Sequence, residues 1–248
     1  MRQQAVERLI FALDVGADLP ETLSWVDRLR DHIGLFKVGK ESFTLHGPEI
    51  VRQIVHRGGR VFLDLKFHDI PNTVARAAEG AVKLNVSMFN MHALGGKKMM
   101  QETVAAARRL SETIQMPMPV ILAVTVLTSL NDGDLRGLGF RCSADALALT
   151  LAKMAQDAGV TGVVASAQDI AAIRDGCGRD FLIVTPGIRS AETVRDDDQK
   201  RTLTAEEAIR GGADYLVVGR PIRMADDPVF AAEQMIGEIS AGLRMRER

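Results

Sequence analysis

The 248-residue chain is 46% hydrophobic and 25% charged, the balance of an ordinary globular protein, which excludes a disordered chain and a minimal scaffold. Thirty-one basic against 32 acidic side chains leave a net charge of −1, so no global field draws in nucleic acid or anionic lipid, and a charged ligand must be caught locally. Aromatics at 4%, with one Trp and one Tyr, are too few for a base-stacking platform.

From the N-terminus, Met1-Arg2-Gln3-Gln4 leads into an apolar run at 9–13 that Asp14 breaks, too short for a secretory core. Short apolar, β-branched runs then recur along the chain, and they predict eight strands at 9–15, 35–39, 60–67, 85–92, 119–127, 162–166, 181–188 and 215–219. Amphipathic stretches with helix punctuation separate them. Gly58-Gly59 and Gly159 stand where helices should stop, Ser143 is placed to cap a helix carrying Leu147, Leu151 and Met154, Thr204 with Glu207 forms a capping box, and Asp227 precedes Pro228 as an N-cap. The longest uncharged stretch, 113–131, holds two prolines and several hydroxyls and fails as a membrane span. Cys142 and Cys177 lie 35 positions apart, which encodes neither a zinc knuckle nor a redox dithiol. A cytoplasmic protein with no membrane association is the expectation.

Eight strand-helix units without a linker or composition break match a single-domain (β/α)8 TIM barrel of the α/β class spanning residues 1–248. An open doubly wound sheet shares the alternation, but it expects a Gly-rich turn after the first strand. That turn reads Asp14-Val15-Gly16-Ala17-Asp18.

In a barrel, chemistry belongs at the C-terminal ends of the strands. The charged residues there are Asp14, Lys37, Asp64, Lys66, Asp69 and Arg220. Within Val61-Phe62-Leu63-Asp64-Leu65-Lys66-Phe67, a period of two puts Asp64 and Lys66 on one face and Leu63, Leu65 and Phe67 on the other. The charged face points into the mouth, where ionised groups are costly unless paired, and Lys37 between Phe36 and Val38 is placed to join them. A buried network that only fixes register is the plainer reading. Four charges in one mouth exceed what register requires.

A phosphate site is expected at Gly219-Arg220, where glycine lets the backbone approach and the guanidinium offers two prongs. After strand seven comes Thr185-Pro186-Gly187-Ile188-Arg189 and a polar connector over 190–202 containing Gln199, long enough for a lid or binding loop rather than a plain surface loop. The five histidines form neither H-x-H nor H-E-x-x-H, so no metal site is expected, and no G-x-S-x-G marks a nucleophile.

The run Asp64-Leu65-Lys66-Phe67-His68-Asp69-Ile70-Pro71-Asn72-Thr73 resembles the D-x-K-x-x-D-I-P-x-T signature of the orotidine 5'-phosphate decarboxylase family. The resemblance extends through Leu13-Asp14, Lys37-Val38-Gly39, Leu127-Thr128-Ser129, Pro186-Gly187-Ile188-Arg189 and Val218-Gly219-Arg220, and 197–201 looks like the family's lid segment. Gly-Ile-Arg after strand seven is similar to the bacterial branch.

The resemblance implies conversion of orotidine 5'-monophosphate to UMP and CO2, the last step of de novo pyrimidine synthesis, without metal or organic cofactor. It implies Lys66 as proton donor to C6, Asp64 against the substrate carboxylate, Lys37 between the charged array and the ribose, and Asp14 on the ribose hydroxyls. Thr128 and Ser129 would meet the pyrimidine. Gln199, Gly219 and Arg220 would hold the phosphate, with Arg189 close by, and Pro186 would be a further substrate-binding residue. It further implies a homodimer in which Asp69 and Thr73 reach the partner's site. Related phosphosugar barrels share D-x-K-x-x-D but use Mg2+, and Ile70-Pro71-Asn72-Thr73 argues against them; a silent nucleotide sensor could discard Lys66, which is present.

Overall fold

The computed structural model describes residues 1–16, 18–188 and 203–246. Its eight strands are β1 (Leu9–Ala12), β2 (Leu35–Gly39), β3 (Val61–Phe67), β4 (Met88–His92), β5 (Val120–Val124), β6 (Gly162–Val164), β7 (Leu182–Pro186) and β8 (Tyr215–Val218). All pair in parallel in sequence order, and β8 returns to β1 through Leu9↔Leu216, Ile10↔Val217 and Phe11↔Val218, closing the barrel. Every expected strand is present and the α/β barrel architecture stands.

Alternation along each strand builds two cores. Ile10, Leu35, Phe62, Met88, Leu122, Val184 and Val217 fill the barrel interior, while their neighbours Phe11, Phe36, Leu63, Phe89 and Ile183 face outward into the helix layer. Parallel strands covered on both faces need such runs, which is why the strands read as nearly continuous apolar segments.

The punctuation mostly works as expected. Thr204 accepts from the Glu207 N–H while Glu207 reaches back, a full capping box ahead of the helix Ala205–Gly211. Asp227 Oδ1 takes the N–H groups of Val229 and Phe230 at 3.0 and 3.2 Å, opening the helix Pro228–Arg246. Gly159, at φ +80°, ends the helix Ala144–Asp157 in a left-handed turn that a side chain would strain. Ser143 stands at the N-cap of that helix without a capping bond from its hydroxyl, and Asp132 accepts the Ala144 N–H instead at 2.8 Å.

A helix at Arg2–Arg8 precedes β1, where the sequence shows no start signal, and it packs against Pro228–Arg246. The strand ends are also shorter than expected: β1 stops at Ala12, leaving Asp14 on the loop above it.

At the N-terminal ends of the strands, the buried Asp214 sits just before β8 and is held by three arginines. Arg174 reaches its Oδ2 at 2.7 Å, Arg246 its Oδ1 at 3.3 Å, and Arg8 lies 3.8 Å away while donating to the Asp214 carbonyl at 2.9 Å. Arg174 also donates to the carbonyls of Gly178, Phe181 and Gly212, and Asp214 accepts the Ile183 N–H at 2.9 Å. The whole cluster is wired to backbone. No described helix is long and apolar enough to cross a membrane.

Candidate active site

Two residues beyond the interior core, the same inward-facing alternation reaches Lys37 on β2, Asp64 on β3 and Asn90 on β4. On the far side of the mouth it reaches Val124 on β5 and Pro186 on β7. The rim is therefore polar over β2 to β4 and apolar opposite.

The polar half forms one chain of alternating charge. Lys37 Nζ lies 2.8 Å from Asp14 Oδ2 and 3.3 Å from Asp64 Oδ2, and Lys66 Nζ lies 2.6 Å from Asp64 Oδ1. Lys37 and Asp64 are only 8% and 9% exposed, so each charge depends on its neighbours for what water no longer supplies. Burial alone would lower the Lys37 pKa, and it is the largest single influence; Asp64 and Asp14 together outweigh it and hold the amine above its ordinary value. Lys37 is a fixed cation.

Backbone detail makes the array possible. A Cβ at Gly39 would fall 2.5 Å from Asp14 Oδ1 and 2.9 Å from Lys37 Nζ, so glycine leaves room for that ion pair where it stands, and a side chain there would displace it. Asp14 is held in turn by its loop: Arg223 donates to its carbonyl at 2.7 Å and Ser42 to the carbonyl of Leu13.

The expected period of two along β3 fails above Asp64. The ladder to β4 pairs Leu63↔Phe89 and resumes at Phe67↔Met91, and within this irregularity Lys66 adopts φ +52°. Lys66 nonetheless ends beside Asp64, because the Asn90 carboxamide accepts the Lys66 N–H at 2.8 Å and donates to Asp64 Oδ1 at 2.7 Å.

Two connected cavities receive these groups. One of about 190 Å³ has Lys37, Asp64 and Lys66 on one wall and Val124, Val126 and Val164 on another. The other, about 880 Å³, is bordered by Asp14, Gly187, Gly219, Arg220 and Arg223, and both share Thr128, Pro186 and Val217. They make a single cleft with a charged and oily inner end and a cationic outer end. It suits a ligand with a small flat head and an anionic tail.

Of the expected residues, Asp14, Lys37, Asp64, Lys66, Thr128, Pro186, Gly219 and Arg220 all border this cleft. Ser129 is exposed on the adjoining turn and lines neither cavity. Asp69 and Thr73 lie instead around a neighbouring space of about 470 Å³ that also touches Lys66, Lys40, His68 and His92. Within one chain Asp69 accepts the Ile70 N–H at 2.7 Å and forms no ion pair with Lys66. His92 lies beside His68, with ring centres 5.3 Å apart and the rings tilted by 39°, and burial, then the charge of His68, lowers its pKa to about 4. Arg189 and Gln199 fall outside the described residues.

Sequence reasoning missed Asn90, Arg223 and the role of Gly39. Asn90 was detectable as a polar residue sharing the inward face with Met88, and Arg223 as a second guanidinium one helical turn after Arg220. Among the described residues no group of three His, Cys, Asp or Glu side chains is gathered for a metal ion.

Residues 7–235 match the profile described as the orotidine 5'-phosphate decarboxylase / HUMPS family. The orotidine 5'-phosphate decarboxylase of Syntrophus aciditrophicus (strain SB) is 63% identical over 244 residues, covering 98% of this chain and 97% of its own length. That of Geobacter sulfurreducens is 50% identical, with 97% and 99% covered. The crystal structure of orotidine 5'-phosphate decarboxylase from Lactobacillus acidophilus superposes with a TM-score of 0.83 at 36% identity, covering 94% of this chain and 99% of that one.

Proposed function

Because the chain belongs to the orotidine 5'-phosphate decarboxylase / HUMPS family, we propose that it converts orotidine 5'-monophosphate to UMP and CO2 in pyrimidine biosynthesis, with Lys66 as the acid and no cofactor. The observation that carries this reading is the Lys66 ammonium, held 2.6 Å from Asp64 at the edge of the small cavity.

The chemistry explains why such a group is needed. When the bond between C6 and the carboxylate breaks, its electron pair stays on C6 in an orbital lying in the ring plane, where the π system does not absorb it. A fixed cation aimed at that carbon stabilises the developing charge, and in a dry site it acts more strongly than in water. A proton then passes from Lys66 Nζ to C6, CO2 departs, and the neutral amine recovers its proton from solvent. Asp64 pairs with the ammonium at 2.6 Å and faces the leaving carboxylate.

The rest of the cleft divides the nucleotide by chemistry. The valine wall and Thr128 take the pyrimidine, with Ser129 on the turn beside it; Asp14 and Lys37 take the ribose; Gly219, Arg220 and the Pro186 turn take the phosphate, together with Arg189 and Gln199 of the 189–202 connector. Remote binding of a dianion contributes to rate when it helps organise the array around the reacting carbon. Asp69 and Thr73 act across a homodimer, entering the partner's ribose region. That Lys66 also borders the space beside Asp69 and Thr73 supports this part of the reading.

The direct test is the ultraviolet spectrum of orotidine 5'-monophosphate after adding pure protein, with and without a chelator. Full conversion to UMP is expected. No spectral change would reject the activity, and activity that the chelator removes would reject cofactor independence. For the shared site, mixing inactive Asp64→Ala and Asp69→Ala proteins should restore part of the activity, and no recovery despite subunit exchange would reject it.

A further inference from the structure

We infer that Asn90, which the proposed reaction does not use directly, is a positioning residue for the acid: its carboxamide locks the Lys66 backbone and one Asp64 oxygen into a closed unit. This rests on the reading of Lys66 above.

The ladder between β3 and β4 is irregular above Leu63. Leu63 pairs with Phe89 and Phe67 with Met91, so three residues, 64 to 66, stand opposite Asn90 alone. Extra residues on one strand disturb the ladder and leave backbone groups in need of other partners. Lys66, inside this bulge, takes a left-handed φ of +52°, which costs a residue with a Cβ about 1 kcal/mol and persists only where its surroundings enforce it.

Asn90 enforces it. Its Oδ1 accepts the Lys66 N–H at 2.8 Å, and its Nδ2 donates at 2.7 Å to the same Asp64 oxygen that meets Lys66 Nζ at 2.6 Å. The hydrogen bonds run from the Lys66 backbone through Asn90 and Asp64 back to the Lys66 side chain. Both ends of one residue are pinned. The partners also dictate the amide's orientation, since a backbone N–H requires an acceptor and a carboxylate requires a donor. With Asn90 fully buried, water does not replace it. Aspartate at this place would set a second anion against Asp64, and an apolar residue would leave the Lys66 N–H unpaired and take one hydrogen bond from Asp64.

A plain filler of the bulge would matter to stability alone. A positioning residue matters to where the ammonium sits, and that is felt in turnover more than in nucleotide binding, because Gly219 and Arg220 lie in the other part of the cleft. Misplacing a reacting group by an ångström costs on the order of 100-fold in rate.

The test uses three measurements on the full-length protein. Asn90→Ala, and the isosteric Asn90→Asp in case the cavity left by alanine prevents folding, are expected to lower kcat by about 100-fold while KM and UMP affinity change by less than about threefold. Amide hydrogen exchange on the unsubstituted protein is expected to show the Lys66 N–H strongly protected. The inference is overturned if either folded variant keeps the parent's kcat, if UMP affinity falls in step with kcat, or if the Lys66 amide exchanges freely. Lys66→Ala separates the two ideas: an active Lys66→Ala protein rejects the acid assignment, whereas an inactive one beside a fully active Asn90→Ala rejects only the role of Asn90.

Discussion

The barrel carries a buried ionic cluster at each end, and the two are built in opposite ways. Below β8, Asp214 is surrounded by Arg8, Arg174 and Arg246, whose guanidinium groups also bond the carbonyls of Gly178, Phe181, Gly212 and Ala213. At the mouth, Asp14, Lys37, Asp64 and Lys66 alternate in sign, and the two lysines bond carboxylates. A guanidinium spreads its charge over a rigid fork and keeps its proton, which suits a brace. An ammonium is a compact charge on a long stem with a proton to give, which suits chemistry. Burial and ion pairing are therefore poor guides to function by themselves. What separates the ends is whether the cations spend their donors on backbone or leave them facing a cavity.

Substitutions sharpen this contrast. The largest effect is expected for Lys66→Ala, which should lower kcat by about 10²- to 10⁴-fold, the usual range for a lost general acid, while UMP affinity measured by calorimetry stays near that of the parent. At the other end, Asp214→Ala leaves three arginines without their anion and should cost on the order of 3–5 kcal/mol in urea unfolding. Its folded fraction should turn over within about a factor of two of the parent, the scatter for sites that share no partners. If Asp214→Ala instead disabled turnover in folded protein, the two ends would not be independent. Arg220→Ala is smaller: losing one charge-assisted bond of about 1.5–3 kcal/mol should raise KM roughly 10- to 100-fold, and phosphite added with the truncated nucleoside should recover part of the rate.

The smallest effect is one of pH. The pKa of His92 falls from 6.5 to about 4 in the folded protein, chiefly through burial. Between those values the unfolded chain binds the proton and the folded one refuses it, so stability declines as pH drops from 6.5 toward 4. Below that window this group adds no further change. Urea midpoints across the acid range should decline less steeply in His92→Gln; an identical slope would show that His92 is not the titrating group.

Most of the fold was legible because each strand lies in a short, mainly apolar run closed by polar or glycine residues, and the barrel needs nothing subtler to count to eight. The Arg2–Arg8 helix was not, since it has no acidic first turn and no side-chain cap, and its place comes from packing on Pro228–Arg246. The charged array was legible because Asp and Lys at inward strand positions stand out against apolar neighbours. Its geometry was not. Strict alternation over β3 put Lys66 beside Asp64 by the wrong route, since the bulge and the left-handed backbone leave no local mark, and the residue that compensates lies 24 positions away on β4. Asn90 and Gly39 carry no charge, so a search among ionisable groups passes over both.

The division of the rim into a charged arc over β2 to β4 and a greasy arc across from it gives the mouth a compass bearing. A flat heterocycle with one acidic edge has only one comfortable heading there, because turning it end over end would press its carboxylate onto valine and its hydrocarbon edge onto ammonium groups. On the proposed reading, the ring's heading is set by the strands that carry each wall.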